Sequence, residues 1–296
     1  MLDGFRTVDV PVSSEGGEVT VHAEIGGDGP SVLLLHGFPQ THLMWHRVAP
    51  ALARTHTVVA ADLRGYGDSS KPPSGEDHAA YSFRSMAADQ HALMAELGHD
   101  RYAVVGHDRG ARVAHRLALD APDAVTRVAL LDILPTAHVY DAVDRRLATA
   151  YYHWFFFIQP APVPERLIAG DPIGYLHSLL GGWGSGLDTY DKDALAEYER
   201  CFLDPDARHA MLEDYRAGAS VDYDLDSADA AAGRTLQAPL LLLWGSRSVV
   251  GGSPTGPMDV WRARAVDVTG RAIPAGHFLA EERPAETLAA LQEFLG

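Results

Sequence analysis

One five-residue stretch limits the folds open to this chain more than any other. Gly106-His107-Asp108-Arg109-Gly110 follows the apolar run 102–105 and precedes a helical pattern over 111–119. Two glycines around a reactive residue, between a β-branched run and a helix, are typical of a nucleophile elbow. Such a strained turn lifts one side chain above the edge of a sheet, and here that side chain is the carboxylate of Asp108. The stretch therefore predicts strand, sharp turn and helix, with Asp108 at the tip.

Apolar runs of strand length alternate with helical patterns on both sides of this turn. We predict an antiparallel pair at 5–12 and 18–25 and buried strands at 31–35, 57–61, 102–105, 125–133, 239–245 and 265–273. Apolar residues with helical spacing occur around 45–52, 83–97 and 260–265 and in a final segment with Leu288, Leu291 and Leu295. Strands that alternate with helices predict an α/β fold with a mostly parallel, doubly wound sheet.

The pattern changes in the middle of the chain. Aromatic residues and short helical pieces dominate from 136 to about 224, and no strand alternates with a helix there. This region follows a predicted strand that closes near Asp132, so we expect it to lie above the carboxyl ends of the strands as a lid. We predict a core in two parts, 1–134 and 226–296, with an inserted helical lid at 135–225.

Composition narrows the possible partners and compartments. A formal net charge of -16 argues against nucleic-acid binding, because no net positive field exists to neutralise phosphates. No apolar run approaches the roughly 20 residues of a membrane helix, and the start of the chain lacks a signal-peptide pattern. The one cysteine, Cys201, excludes an intramolecular disulfide and favours a reducing compartment. These features predict a cytoplasmic protein that binds neither nucleic acid nor membranes.

Four motifs stand in a characteristic order along the chain: His36-Gly37-Phe38-Pro39, the run 62–69 (DLRGYGDS), the turn at 106–110, and Ala275-Gly276-His277-Phe278. In this order they resemble the α/β-hydrolase superfamily, and the aspartate at the turn resembles the branch that holds haloalkane dehalogenases, epoxide hydrolases and haloacetate dehalogenases. The resemblance covers nearly the whole chain. It implies an α/β-hydrolase fold, neither a cofactor nor a metal ion, and a homodimer.

An aspartate nucleophile attacks saturated carbon and forms an alkyl ester, which water then cleaves with the help of a histidine base. The resemblance assigns these roles to Asp108 and His277. A carboxylate must orient the base. Because the segment 245–249 contains no acidic residue, we assign this role to Asp132, with Asp259 as a weaker substitute. The alternative for Asp132 is that it caps the first turn of the lid. By resemblance, the backbone N–H groups of Phe38 and Arg109 form the oxyanion hole.

The two arginines in the first helical turn after the nucleophile, Arg109 and Arg112, suggest the charge of the substrate. Cations are unfavourable at a helix N-terminus, and this cost is explained if a carboxylate binds between the two planar guanidinium groups. Haloalkane dehalogenases and epoxide hydrolases generally carry tryptophan in place of Arg109. Pairing of Arg112 with a surface carboxylate is the alternative interpretation.

The lid sequence Tyr151-Tyr152-His153-Trp154 predicts an aromatic helix packed on the core. The resemblance further implies that His153, Trp154 and Tyr215 bind the leaving halide. The leading hypothesis is therefore hydrolysis of a haloacetate, a small anionic substrate, to glycolate and halide. An epoxide hydrolase that uses Tyr215 with Tyr151 or Tyr152 as acids is the second hypothesis, and a non-catalytic ligand receptor of the same fold is the third.

Overall fold

A computed structural model describes residues 1–14 and 17–296. Its strands are β1 (Arg6–Ser14), β2 (Gly17–Gly26), β3 (Ser31–Leu35), β4 (Thr57–Ala61), β5 (Tyr102–His107), β6 (Val125–Leu131), β7 (Leu240–Gly245) and β8 (Val268–Ile273). Within the described residues they form one sheet in the order β1-β2-β4-β3-β5-β6-β7-β8. Strand β2 is antiparallel to β1 and β4, and all the other pairs are parallel. The predicted α/β fold with a mostly parallel sheet is confirmed.

Helices follow most of the strands. They are α1 (Ala49–Leu52), α2 (Phe83–Glu96), α3 (Arg109–Asp120), α4 (Thr136–Asp141), α5 (Arg145–Ala150), α6 (Tyr152–Phe157), α7 (Val163–Ile168), α8 (Pro172–Trp183), α9 (Lys192–Leu203), α10 (Pro205–Gly218), α11 (Val221–Ala231), α12 (Pro257–Arg262), α13 (Leu279–Glu282) and α14 (Pro284–Leu295). Short 3-10 turns occupy His42–Trp45, Ala79–Tyr81 and Leu187–Thr189. Among the described residues, no helix is both long enough and apolar enough to span a membrane.

Burial explains why the central strands read as continuous apolar runs. All six residues of β5 are buried, as are four of the five residues in each of β3 and β4. A parallel strand covered by helices has no face left for water, so its sequence does not alternate between apolar and polar residues. The helix α3 packs on β5, β6 and α2. This packing anchors the segment after the Asp108 turn to the centre of the sheet.

Sheet order brings four loops together. Strands β3, β5, β6 and β7 are neighbours and run in parallel, so the segments that follow them leave the same edge of the sheet. Those segments begin at His36, Asp108, Asp132 and Ser246. Ligands bind at this carboxyl edge in open α/β sheets, and the candidate site is built there.

The helices α4 to α11 all lie between β6 and β7 in the chain. Helix α10 contacts α6, α7, α9 and α11, and α11 contacts α4, so these helices pack on one another. The predicted lid at 135–225 stays a prediction as a separate unit. The helix Val221–Ala231 continues through the boundary that we placed between residues 225 and 226.

Three boundaries differ from the predictions for local reasons. Strand β6 ends at Leu131 because Asp132 adopts a φ of 54°, which no strand residue has. Helix α12 begins earlier than predicted, at Pro257, since proline fits the first turn of a helix, where its missing N–H is not needed. Strand β8 begins only at Val268, because Ala265 pairs through a single bridge with Leu236.

Candidate active site

The turn between β5 and α3 holds Asp108 in an unusual backbone conformation. Its φ and ψ are 49° and -115°, a region that costs a non-glycine residue on the order of 1–3 kcal/mol. A side chain on Gly106 would place Cβ 2.3 Å from the carbonyl oxygen of Gly110, and one on Gly110 would lie 2.2 Å from that of His36. Both glycines are therefore required for α3 to cross so close to β3 and β5. The predicted elbow geometry is present.

The structure brings Asp108, His277 and Asp132 together from three separate loops. His277 Nε2 lies 3.7 Å from Asp108 Oδ2, and its Nδ1 lies 2.6 Å from Asp132 Oδ2. When Nδ1–H donates to Asp132, Nε2 carries the lone pair that faces Asp108. By contrast Asp259, the substitute considered for Asp132, is an exposed residue of α12 that pairs with Arg262. Asp132 is the carboxylate in contact with the base.

The second oxygen of Asp132 is held by two donors. Its Oδ1 accepts the N–H of Gly245 at 2.9 Å and the hydroxyl of Ser248 at 2.6 Å. These contacts fix the plane of the carboxylate and so the angle at which it meets the imidazole. Ser248 was not predicted, because a serine in the loop after β7 has no local signal that separates it from any other loop serine.

Electrostatics in this group favour an ionised nucleophile. Burial alone would raise the pKa of Asp108, but His277, His107 and the two arginines outweigh it, and the pKa is lowered. Burial alone would lower the pKa of His277, but the hydrogen bond and charge of Asp132, with the charge of Asp108, raise it. The site thus combines a stable carboxylate with an imidazole whose affinity for a proton is increased.

The backbone N–H of Phe38 donates to Asp108 Oδ1 at 3.1 Å. Arg109 begins α3, and its N–H is one of the donors that a helix cannot satisfy internally. The predicted donor Phe38 therefore contacts the Asp108 carboxyl group, whereas the role of the Arg109 N–H stays a prediction.

The two predicted arginines have different surroundings. Arg109 is buried and forms a two-pronged ion pair with Asp214, whose carboxylate also accepts the hydroxyl of Tyr66 at 2.7 Å. Arg112 is buried as well, but its Nη1 donates to the carbonyl of Leu134 and the hydroxyl of Thr136. In the described part of the chain, Arg112 has no carboxylate partner. Among the described residues it is a buried cation without a direct ion pair, and the charge of Asp108 offsets only part of the cost of its burial.

Each guanidinium also keeps a terminal nitrogen free of protein acceptors. Within residues 1–14 and 17–296, neither Nη1 of Arg109 nor Nη2 of Arg112 has a hydrogen-bond acceptor. The guanidinium carbon of Arg109 lies 4.2 Å from the ring centre of Tyr215, and that of Arg112 lies 4.7 Å from the ring of Trp154. The arginines therefore pack directly on two of the side chains predicted to bind halide.

The three predicted halide ligands come together. His153 and Trp154 lie on α6 and Tyr215 on α10, with the Tyr215 ring centre 5.8 Å from His153 and 6.2 Å from Trp154. All three are buried. Burial lowers the pKa of His153 to about 3, so its ring is neutral, with one N–H donor. A neutral imidazole, an indole and a phenol can all donate hydrogen bonds to an anion.

A cavity of about 210 Å³ joins these groups to the nucleophile. Its walls include Asp108, His277, His153, Trp154 and Tyr151. Tyr215, Arg109 and Arg112 do not line it directly. Tyr215 contacts His153 and Trp154 of the cavity wall, Arg112 contacts Trp154, and Arg109 contacts Tyr215.

Comparisons with known proteins agree with this geometry. The family profile for the alpha/beta hydrolase fold matches residues 30–163. A fluoroacetate dehalogenase from Burkholderia is 48% identical over 100% of this chain and 95% of its own length. A soluble epoxide hydrolase from Corynebacterium is 33% identical and covers 89% of each chain. The crystal structure of an α/β hydrolase from Nostoc superposes with a TM-score of 0.96 at 49% identity, over 100% of this chain and 99% of the other.

Proposed function

The chain belongs to the α/β-hydrolase family, together with its fluoroacetate dehalogenase relative, and on this premise we propose that it is a hydrolase of carbon–halide bonds. In this proposal it converts a short 2-haloacid to a 2-hydroxyacid through an ester on Asp108. Fluoroacetate or another haloacetate is the substrate, and glycolate and halide are the products. The proposal needs no cofactor or metal ion. Homodimer formation and a cytoplasmic location stay predictions.

In the first step, the ionised Asp108 attacks the carbon that bears the halogen. A bond forms between a carboxylate oxygen and that carbon, the carbon–halogen bond breaks, and the halogen leaves with the bonding electrons as halide. The N–H groups of His153 and Trp154 and the hydroxyl of Tyr215 can stabilise the charge that develops on it. We assign the substrate carboxylate to Arg109 and Arg112, which would fix the distance and angle of attack. Neither arginine lines the cavity, so Trp154, which packs on Arg112, must shift for the carboxylate to reach them.

In the second step, water cleaves the ester. His277 Nε2 takes a proton from water, and the oxygen attacks the carbonyl carbon of Asp108. The N–H groups of Phe38 and Arg109 bind the resulting oxyanion, which collapses to expel the glycolate oxygen. The proton on His277 passes to that oxygen, so glycolate leaves and Asp108 is left as a carboxylic acid that carries the second proton of the water. That acid loses its proton to His277 and from there to solvent, which regenerates the Asp108 carboxylate.

The observation that carries the proposal is the buried guanidinium of Arg112, which has no direct ion pair among the described residues and whose pKa burial and the charge of Arg109 lower despite the charge of Asp108. A substrate carboxylate within ~4 Å of ionised Asp108 would be repelled by about 4 kcal/mol at an effective dielectric constant of 20. Arg112, together with Arg109, can offset this repulsion. A neutral substrate would leave the guanidinium buried without an anion, which is costly.

One observation favours an epoxide hydrolase as the second candidate. Tyr151 lines the cavity and Tyr215 lies behind it, so two phenols are available to protonate an opening epoxide oxygen. Tyr152, the other phenol considered, is 45% exposed and lies outside the cavity wall. Both candidates use Asp108 and His277, whereas Arg112 contributes only to an anionic substrate.

Halide release from a substrate panel tests the proposal. Fluoroacetate and chloroacetate should release halide and yield glycolate, whereas a neutral chloroalkane and a neutral epoxide of similar size should react far more slowly. The Asp108→Asn variant, which keeps the size of the side chain, is the inactive control. Turnover of the epoxide in preference to both haloacetates would contradict the proposal, as would binding of haloacetate without any turnover by the folded protein, which would indicate a receptor.

The pH dependence of turnover should report the contact between His277 and Asp132. The base must be neutral to accept a proton, so kcat falls as the pH drops through the pKa of His277, which Asp132 raises. In Asp132→Asn the raising charge is gone and burial remains, so the midpoint should move to lower pH and kcat should fall at least about 10²-fold. Initial rates between about pH 5 and 9 measure both effects. An unchanged midpoint in the variant would show that Asp132 does not control the base.

A further inference from the structure

A second, much smaller cavity lies beside Arg112. Its volume is about 20 Å³, and its walls include Arg112, Arg116, Thr136, Asp222 and Asp226. A single water molecule needs roughly 10–15 Å³ of such space and two to four polar partners. The cavity is therefore large enough for one water and too small for a substrate.

Three polar atoms of the cavity walls lack hydrogen-bond partners. These are Nε of Arg112, Nε of Arg116 and Oδ2 of Asp222, all buried and without a partner in the described part of the chain. Buried polar groups are nearly always hydrogen-bonded, and three unpaired atoms on residues that line one small cavity favour a shared partner. Water can accept two N–H bonds and donate one O–H, which matches two arginine donors and one carboxylate acceptor.

The remaining contacts of Asp222 lead to the other arginine. Its Oδ1 accepts the backbone N–H of Phe83 at 2.9 Å, and the ring centre of Phe83 lies 4.6 Å from the guanidinium carbon of Arg109. Burial raises the pKa of Asp222, while the charges of Arg109 and Arg116 and the N–H of Phe83 lower it. A water that donates to Oδ2 would further favour the ionised carboxylate. Asp222 thus connects the supports of both guanidinium groups.

We propose that Asp222 is a positioning residue for the carboxylate-binding arginines, acting through a water molecule held between its Oδ2 and the Nε atoms of Arg112 and Arg116. The water fixes the Nε edge of Arg112 while Leu134 and Thr136 fix Nη1, so that Nη2 is the donor left to meet a substrate carboxylate. This role rests on the proposed function. The water site itself does not, because it follows from the three unpaired atoms alone.

The Asp222→Asn variant tests the role. The asparagine keeps the shape of the side chain, and its amide oxygen can still accept the N–H of Phe83. Its NH₂ group then takes the place of Oδ2 and faces the water, so the acceptor for the O–H of the water is lost. We expect KM for chloroacetate to rise about tenfold while kcat changes less than about threefold, because binding of the carboxylate is weakened and the nucleophile is untouched. The affinity for glycolate, measured by calorimetry, should fall by a similar factor.

Asp226→Asn is the matched control. Asp226 lines the same cavity, but its oxygens are already bonded to the N–H of Ala137 and to Arg264. The control should leave KM within about twofold of the wild-type value. Equal KM and glycolate affinity in Asp222→Asn and the wild type would overturn the proposal, as would a similar loss in both variants, which would indicate general damage.

Two further measurements keep the proposal testable if Asp222→Asn does not fold. Arg116→Lys keeps the charge next to Asp229 and removes the Nε–H, so KM should rise in the same direction by a smaller factor. A high-resolution crystal structure of the wild type should show one water in contact with all three atoms, and a dry cavity would overturn the proposal. Wild-type halide release is measured alongside, so failure of the proposed function is recognised separately from failure of the water site.

Discussion

A His277→Asn variant is expected to release about one halide per active site and then stop, with the carbon skeleton of the substrate attached to Asp108. The first step needs only the carboxylate of Asp108, the halide donors and the arginines. The second needs a base, and His277 Nε2, 3.7 Å from Asp108 Oδ2, is the base in place. Its removal should lower the steady-state rate by at least about 10³-fold while it leaves the first turnover measurable.

Mass spectrometry of the intact variant after incubation with chloroacetate provides the measurement. The mass should increase by one carboxymethyl group, and proteolysis should place that group on the peptide that contains Asp108. The Asp108→Asn variant, treated in the same way, should remain unmodified. Steady halide release by His277→Asn without any adduct would mean that water attacks the substrate directly and that no ester forms.

The turn and the sheet are predictable from the sequence because their causes are local. A buried parallel strand must be apolar on both faces, and the Asp108 turn needs glycine on both sides because β3, β5 and α3 approach within contact of one another. Once the strand order is known, the loops that carry Asp108, Asp132 and His277 must meet at one edge. Two strand boundaries are less predictable. Strand β6 ends where Asp132 leaves the strand conformation, and β8 starts late because Ala265 pairs only through a single bridge with Leu236.

The surroundings of the arginines are not predictable in the same way. The sequence places Arg109 and Arg112 in the same helical turn, where they look equivalent. The ion pair of Arg109 with Asp214 spans 105 positions, and no periodicity in α10 distinguishes Asp214 from the neighbouring acid Glu213. The halide ligands were likewise assigned only through resemblance, because the short lid helices have no pattern that says which aromatic side chains face the cavity.

Because the two arginines differ in this way, we expect two parallel substitutions to change the unfolding free energy by different amounts, although both lower the activity. Arg109→Met removes the partner of Asp214, whose carboxylate stays buried with the Tyr66 hydroxyl as a remaining donor. Loss of one member of a buried ion pair typically costs about 3–5 kcal/mol of unfolding free energy. We expect Arg109→Met to be destabilised by an amount in this range, so its loss of activity combines a missing ligand with a weakened fold.

Arg112→Met removes a buried cation that has no carboxylate partner in the described residues, and a methionine fills much of the same apolar space. The variant loses the hydrogen bonds to Leu134 and Thr136 and the contact with Trp154, which lowers the unfolding free energy. It also no longer buries a charge, which raises the unfolding free energy. We therefore expect the unfolding free energy to stay within about 1 kcal/mol of the wild-type value or to rise.

The same Arg112→Met change should lower kcat/KM for chloroacetate about 10²-fold or more, since a charge-assisted hydrogen bond to the substrate carboxylate contributes about 1.5–3 kcal/mol and the repulsion from Asp108 is no longer offset. Urea denaturation and steady-state kinetics on both variants separate the two outcomes. A strongly destabilised Arg112→Met, or one with unchanged kcat/KM, would show that Arg112 holds the fold together rather than the substrate. A stable, folded and inactive Arg112→Met beside an unstable Arg109→Met would show that the buried guanidinium of Arg112, which has no direct ion pair in the described residues, serves the anion that the protein converts.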